Sequence, residues 1–165
     1  MVIWMIRPVR VDDGAAICSI YNHYVENTIH TFEETPVQID EMRERIRKIS
    51  ASYPYLVWDE SGGIDGYAYI NTWKEREAYR FSAELSVYVQ DGLRGRGMGR
   101  QLMEKLLEEV RKTEIHSLVS GIVLPNDPSV VLHEKFGFVK IGLFREIGFK
   151  LDRWLDVGYW ELILK

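Results

Sequence analysis

The chain has 165 residues, 46% apolar and 28% charged, enough for one domain that buries roughly two-thirds of its unfolded surface. A formal net charge of −4 argues against a nucleic-acid partner, which calls for a strongly basic face. Cys18 is the only cysteine, so neither an intrachain disulfide nor a cysteine metal cluster is available.

No run approaches the ~18 apolar residues of a membrane span, and the start has no basic stretch followed by a long apolar one. The expectation is a single cytoplasmic domain, residues 1–165, with no metal, no nucleic acid and no membrane partner.

Val2 to Ile6 reads as a short strand. Asp12 or Asp13 offers a helix cap, and Ala16, Ile17, Ile20, Tyr21 and Tyr24 recur at helical spacing. After Pro36, the positions Ile39, Met42, Ile46 and Ile49 form the apolar stripe of a second helix. Tyr55 to Trp58 is strand-like, Gly62-Gly63 marks a turn, and Ile64 to Asn71 resumes as the second arm of a hairpin. Phe81 to Val89 is the next strand.

The clearest helix follows Gly95 to Gly99. Met98, Leu102, Leu106, Leu107 and Val110 lie on one face, and Glu104, Glu108, Arg111 and Lys112 on the other. Ser117 to Val123 is a buried strand. Asp127 as cap and Pro128 in the first turn open a short helix that ends near Gly137. Phe138 to Phe144 and Val157 to Leu164 close the chain as strands. The order β-α-α-β-β-β-α-β-α-β-β predicts an α/β (α+β) fold, a mixed central sheet with helices on both faces. The strands before and after the long helix are expected to run parallel.

The chemistry concentrates in Arg94-Gly95-Arg96-Gly97-Met98-Gly99, which joins a strand to that helix. Glycines let backbone approach a ligand. The first helical N–H groups lack internal partners, and the helix dipole favours an anion there. Arg94, Arg96 and Arg100 add positive charge, so a pyrophosphate is a natural occupant. A Walker A loop is absent, and the Gly-x-Gly-x-Gly spacing in mid-chain does not fit the dinucleotide fingerprint. The bland alternative is a glycine-rich connection with solubilising arginines.

Arg94-x-x-Gly97-x-Gly99 after Val87-Tyr88-Val89 resembles the acyl-CoA signature of the GNAT acetyltransferase superfamily. Near its full length the chain resembles the phosphinothricin N-acetyltransferase branch. The matching segments are Asn22-His23-Tyr24, Trp73-Lys74 with Arg76 and Ala78-Tyr79, Glu84, Leu124-Pro125-Asn126-Asp127-Pro128-Ser129-Val130, Leu132-His133-Glu134, and Gly158-Tyr159-Trp160 after Trp154 and Asp156.

The resemblance implies acetyl-CoA as co-substrate and a small amino-acid-like amine as acceptor. It implies cofactor contacts from Val87, Tyr88, Val89, Arg94, Gly95, Arg96, Gly97, Met98, Gly99, Arg100 and Asn126. The strand carrying Val87 to Val89 splays from its parallel neighbour in that superfamily, with pantetheine lying in the gap. The Val87 N–H is then the oxyanion donor. An acceptor amine must be neutral to attack, and a base helps near pH 7. Glu84, in an otherwise apolar strand, is the first candidate base, and His133 the second. Tyr88 and Tyr69 are alternative acids for the departing thiolate.

A phosphinate and a carboxylate call for clustered cations, which Lys74, Arg76 and Arg80 supply beside Tyr79. A solvated charged loop is the competing reading of the same segment. Glu75 departs from the pattern of the branch and leaves room for another small amine or a protein N-terminus. Phe32, Tyr69, Trp73 and Val157 are candidate pocket walls. Phe149-Lys150 and Arg153-Trp154 read as a long loop able to reach a second copy, so a homodimer is expected. From a different class, a non-catalytic acyl-CoA sensor fits the loop but leaves Glu84 and His133 without a role.

Overall fold

Residues 4–164 are described by a computed structural model; Val2 and Ile3, the start of the first expected strand, lie outside them. The elements are β1 (Trp4–Pro8), α1 (Gly14–Asn27), α2 (Ile39–Ser50), β2 (Tyr55–Glu60), β3 (Gly63–Thr72), β4 (Ser82–Val89), α3 (Met98–Val110), β5 (Ser117–Leu124), α4 (Asp127–Lys135), β6 (Val139–Lys150) and β7 (Arg153–Ile163). The seven strands form a mixed sheet in the order β1-β2-β3-β4-β5-β7-β6. Two compact units divide the chain. The first is Met1–His23, Val37–Asn71 and Leu85–Thr113; the second is Tyr24–Pro36, Thr72–Glu84 and Glu114–Lys165.

In the first unit β1 and β2 run antiparallel, from Trp4↔Glu60 to Pro8↔Leu56, and β2 continues antiparallel to β3 with a bulge at Trp58/Asp59. Gly66 on β3 brings α3 close, because a Cβ there would lie 3.1 Å from Leu102 Cδ1 and 3.2 Å from Met98 Sδ. Its neighbour Tyr67 points to the other face, as alternation along a strand requires. Tyr67 stacks on Tyr88 at 5.3 Å, and Tyr88 meets Tyr21 of α1 edge-on at 5.5 Å. Helices therefore cover both faces of this part of the sheet.

The expected face of α3 is buried in full, with Met103 added to it. In α2, Met42 and Ile46 are buried, but Ile39 is exposed because it is the first helical residue. Asp13 does not cap α1. It closes a 3-10 turn, Val11–Asp13, and its carboxylate turns back to accept from both terminal nitrogens of Arg7 and from the Arg10 N–H. Arg7 Nε also donates to Asp59 at 2.8 Å, which ties β1, the turn and β2 together.

In the second unit Ser82, Ala83 and Glu84 of β4 pair parallel with Ser117, Leu118 and Val119 of β5, the direction that a helical crossover predicts. Strand β5 then pairs antiparallel with β7, and β7 with β6. These last two strands are longer than their sequence suggests. Phe149, Lys150, Arg153 and Trp154 are not in a loop: Phe149↔Trp154 and Lys150↔Arg153 are sheet pairs. The connection is the two residues Leu151 and Asp152, at φ 51° and 58°, the left-handed geometry that suits a tight hairpin. No glycine or asparagine marks the turn, so it is silent in the sequence. The cap of α4 is Asn126 instead of Asp127, accepting from the Ser129 N–H at 3.4 Å. Among the described residues no helix is long and apolar enough to cross a membrane.

Candidate active site

The glycine-rich loop belongs to the first unit. Gly95 and Gly97 have φ of 78° and 82°, which side chains rarely adopt. A Cβ added at either would meet nothing within 4 Å, so the glycines serve backbone conformation and leave the surface clear. Gly97 is the N-cap of α3, with no side-chain cap and no acidic residue in the first turn. The first intrahelical bond is Gln101 N–H to Gly97 O at 3.1 Å, so the N–H groups of Met98, Gly99 and Arg100 precede the helical ladder.

Met98, the first residue of α3, is buried and rests against Gly66, pinning the start of the helix to β3. Arg96 and Arg100 are exposed, while Arg94 lies 3.3 Å from Asp91. Val87, Tyr88 and Val89 are half-buried on β4. Tyr69 sits in a tyrosine stack, 4.7 Å from Tyr55. With Tyr21, Met42, Arg45, Ile49, Tyr55 and Tyr67 it lines a small cavity. Burial, reinforced by neighbouring tyrosines, pushes the Tyr55 and Tyr67 hydroxyls up, so both stay protonated.

The second unit carries Glu84. It pairs with Val119, and two residues along the same face of β5 is Gly121, whose cross-strand partner is Tyr159. A Cβ on Gly121 would lie 3.7 Å from Glu84 Oε1 and 3.3 Å from Tyr159 Cε1. The missing side chain thus leaves room for the carboxylate and the phenol ring. Burial pushes the Glu84 carboxyl up, and the Lys74 ammonium opposes that shift. Burial, helped by the Glu84 charge, also raises the Tyr159 hydroxyl.

Lys74 Nζ stands 4.8 Å from the Trp73 ring centroid. Trp73 and Phe144 both meet Tyr159 edge-on, at 5.7 and 5.6 Å. Val157 joins Ile29, Val123 and Leu155 in an apolar cluster against which Tyr159 packs. The result is a half-buried carboxyl beside Tyr159, whose ring packs on two further aromatics, with Lys74 the cation that acts on it among the described residues.

The other expected cations diverge. Arg80 stacks on Phe81 at 4.3 Å and donates to Glu77 O. Arg76 precedes the short 3-10 turn Glu77–Tyr79, with its side chain exposed, as is that of Tyr79. Phe32 lies directly over Gly148 with part of its ring exposed.

His133 is enclosed, at 4% exposure. Its Nδ1–H donates to Ser129 O at 2.7 Å, Phe138 meets it edge-on at 5.1 Å, and Nε2 is buried with no partner. Burial pulls its pKa down, so it is neutral at pH 7. Glu134 of the same helix accepts from Trp160 Nε1 at 3.1 Å. Trp160 and Tyr159 are consecutive and point to opposite faces, so α4 covers the face away from Glu84. Asn126 spends its side-chain oxygen on the α4 cap.

Sequence reasoning passed over Tyr159, Phe144 and Gly121 as site residues. The signal available was a glycine inside an otherwise apolar strand, which marks a close approach. Among the described residues no group of three or more His, Cys, Asp or Glu could hold a metal.

The sequence and the fold are similar to those of known proteins. The profile described as an acetyltransferase (GNAT) domain matches residues 6–158. A phosphinothricin N-acetyltransferase of Streptomyces viridochromogenes is 38% identical over 94% of this chain and 85% of its own. An L-methionine sulfoximine/L-methionine sulfone acetyltransferase of Salmonella typhimurium is 35% identical over 92% and 90%. The crystal structure of a GNAT superfamily phosphinothricin acetyltransferase from Sinorhizobium meliloti, in complex with acetyl-CoA, superposes with a TM-score of 0.94 at 35% identity, covering 98% of this chain and 88% of that one.

Proposed function

The chain belongs to the GNAT acetyltransferase family, and from that premise we propose that it moves the acetyl group of acetyl-CoA to the amine of phosphinothricin or a related small amino acid of the methionine sulfoximine or sulfone type. The observation that carries this reading is the Glu84 carboxyl, half-buried over Gly121 beside Tyr159 and raised by burial, with Trp73 and Phe144 packed on Tyr159. The names of the relatives supply the acceptor class.

Glu84 takes a proton from the acceptor ammonium. The neutral nitrogen attacks the thioester carbon and the C–S bond breaks; the second proton that the nitrogen loses on becoming an amide is the one the departing thiolate takes up. A carboxylate with a raised pKa is a better base than an exposed one. The Val87 N–H, three residues along the same strand, is the donor for the oxyanion. The first turn of α3 with Arg94, Arg96 and Arg100 holds the pyrophosphate, and Asn126 holds the far arm of the cofactor. Lys74 meets an acceptor anion.

His133 is assigned to packing, not to proton transfer, because its free nitrogen is enclosed and its helix covers the opposite face. The enzyme works in the cytoplasm as a homodimer. Phe149, Leu151 and Trp154 at the β6–β7 turn, each more than half exposed, support a second copy as their cover.

The test is thiol release from acetyl-CoA with a panel of amino-acid analogues. Amine-dependent release with phosphinothricin or methionine sulfoximine is expected. Release with no member of the panel sinks the proposal.

A further inference from the structure

Lys150 is an ammonium buried to 3% exposure, an unusual place for a lysine. Its Nζ donates to the Thr31 carbonyl at 2.8 Å, 119 positions away in the chain. The next residue, Phe32, lies against Gly148, two positions before Lys150, where any Cβ would collide with the ring. Ile29 of the same segment packs on Val123, Leu155 and Val157. The segment carrying Phe32 is therefore held at three points on one sheet face: an apolar contact at Ile29, a ring over bare backbone at Gly148, and a charged hydrogen bond from Lys150.

Only the last is expensive to build. Burial works against the Lys150 charge, and Glu34 and Glu33 work in its favour. An apolar residue of the same length would fill the space without that desolvation penalty. It would also leave the Thr31 carbonyl without its donor.

We propose that Lys150 is a positioning residue for the acceptor site, fixing Thr31 so that Phe32 stands as a wall of the pocket, and that Gly148 is its necessary partner. The proposal rests on the reading of Phe32 as an acceptor wall. It predicts a defect in acceptor binding instead of in cofactor binding or chemistry.

The experiment is steady-state kinetics on the full chain for Lys150→Met, Gly148→Ala, Phe32→Ala and the double variant Lys150→Met/Phe32→Ala. Lys150→Met should raise the acceptor KM about fivefold or more while kcat and the acetyl-CoA KM stay within about twofold, the signature of lost ground-state positioning. Gly148→Ala, which displaces the ring and keeps the lysine, should reproduce that split and guards against a Lys150→Met chain that fails to fold. In the Phe32→Ala background the Lys150→Met change should have no further effect on acceptor KM, since both act on one wall.

If Phe32→Ala itself leaves the acceptor KM unchanged, the wall reading fails. If Phe32→Ala raises it but Lys150→Met and Gly148→Ala do not, or if the two effects multiply independently, the role of Lys150 is overturned.

Discussion

The carboxylate of Glu84 lies over the bare backbone of Gly121, with the Tyr159 ring on the other side of the space a side chain would fill. Carboxylate, glycine and phenol come from three strands, and their spacing depends on the register β4-β5-β7. Gly121→Ala would bring a methyl to 3.3 Å from the ring and 3.7 Å from the carboxylate. A drop in kcat/KM for the acceptor of about tenfold is expected, since small displacements of reacting groups are costly. The acetyl-CoA KM should hold. Steady-state kinetics with each substrate varied separately reads both.

Glu84→Gln removes the proposed base. It should lower kcat by about a hundredfold or more, while acetyl-CoA affinity, measured by calorimetry, stays near that of the parent. Burial raises the folded-state pKa of Glu84 above its ordinary value. Its ionisation therefore opposes folding, and that penalty enters as pH rises through the ordinary carboxylate range. At neutral pH the variant should melt no lower than the parent. A matched loss of Tm and activity would point to misfolding instead.

The acid limb of the kcat/KM profile should follow the same carboxyl and lie above the ordinary glutamate value. Lys74 draws the Glu84 pKa down. Lys74→Met therefore removes a stabilising cation and should move the limb to higher pH. A limb that stays in place would detach Lys74 from Glu84.

At the loop, Gly97→Ala places a side chain at φ 82° with no clash to relieve, so the penalty is conformational, on the order of 1 kcal/mol. Arg96→Ala and Arg100→Ala should instead raise the acetyl-CoA KM and weaken its salt dependence, because they remove screened charge from the proposed pyrophosphate site. Neither should alter the acceptor KM.

The Arg7–Asp13–Asp59 network predicts acid behaviour. Burial tends to raise the Asp13 carboxyl, but the Arg7 hydrogen bonds and the Arg10 N–H hold it below its usual value. The Arg7 bond does the same for Asp59. Depressed carboxylates contribute stability above about pH 4, lost as pH falls through their folded values. Arg7→Met leaves Asp13 buried without its cation and should cost about 3 kcal/mol at pH 7. The gap to the parent should narrow below about pH 4, as denaturant titration at several pH values would show. Trp154→Asp, at the exposed β6–β7 turn, should leave this stability alone and yield monomers by sedimentation if a second copy covers that turn.

The sequence by itself determined the element order and the loop. The apolar stripe of α3 and the left-handed glycines before it are local properties, written in a few adjacent residues. Glu84 also stood out locally, as one acid in an apolar strand. The tertiary structure alone decided the surroundings of Glu84. It put Gly121 and Tyr159 beside Glu84 and Phe144 against Tyr159, although they lie 37 to 75 positions from Glu84 and meet only through strand register. It turned α4 and His133 to the opposite face, because consecutive residues 159 and 160 must point apart. It also drew the supposed loop at 149–154 into a hairpin that buries Lys150 under Thr31. Spacing along a chain reports which residues share a local face. What shares a cavity is set by long-range pairing and by the side chains that are missing, and Gly121 and Gly148 leave no periodic trace.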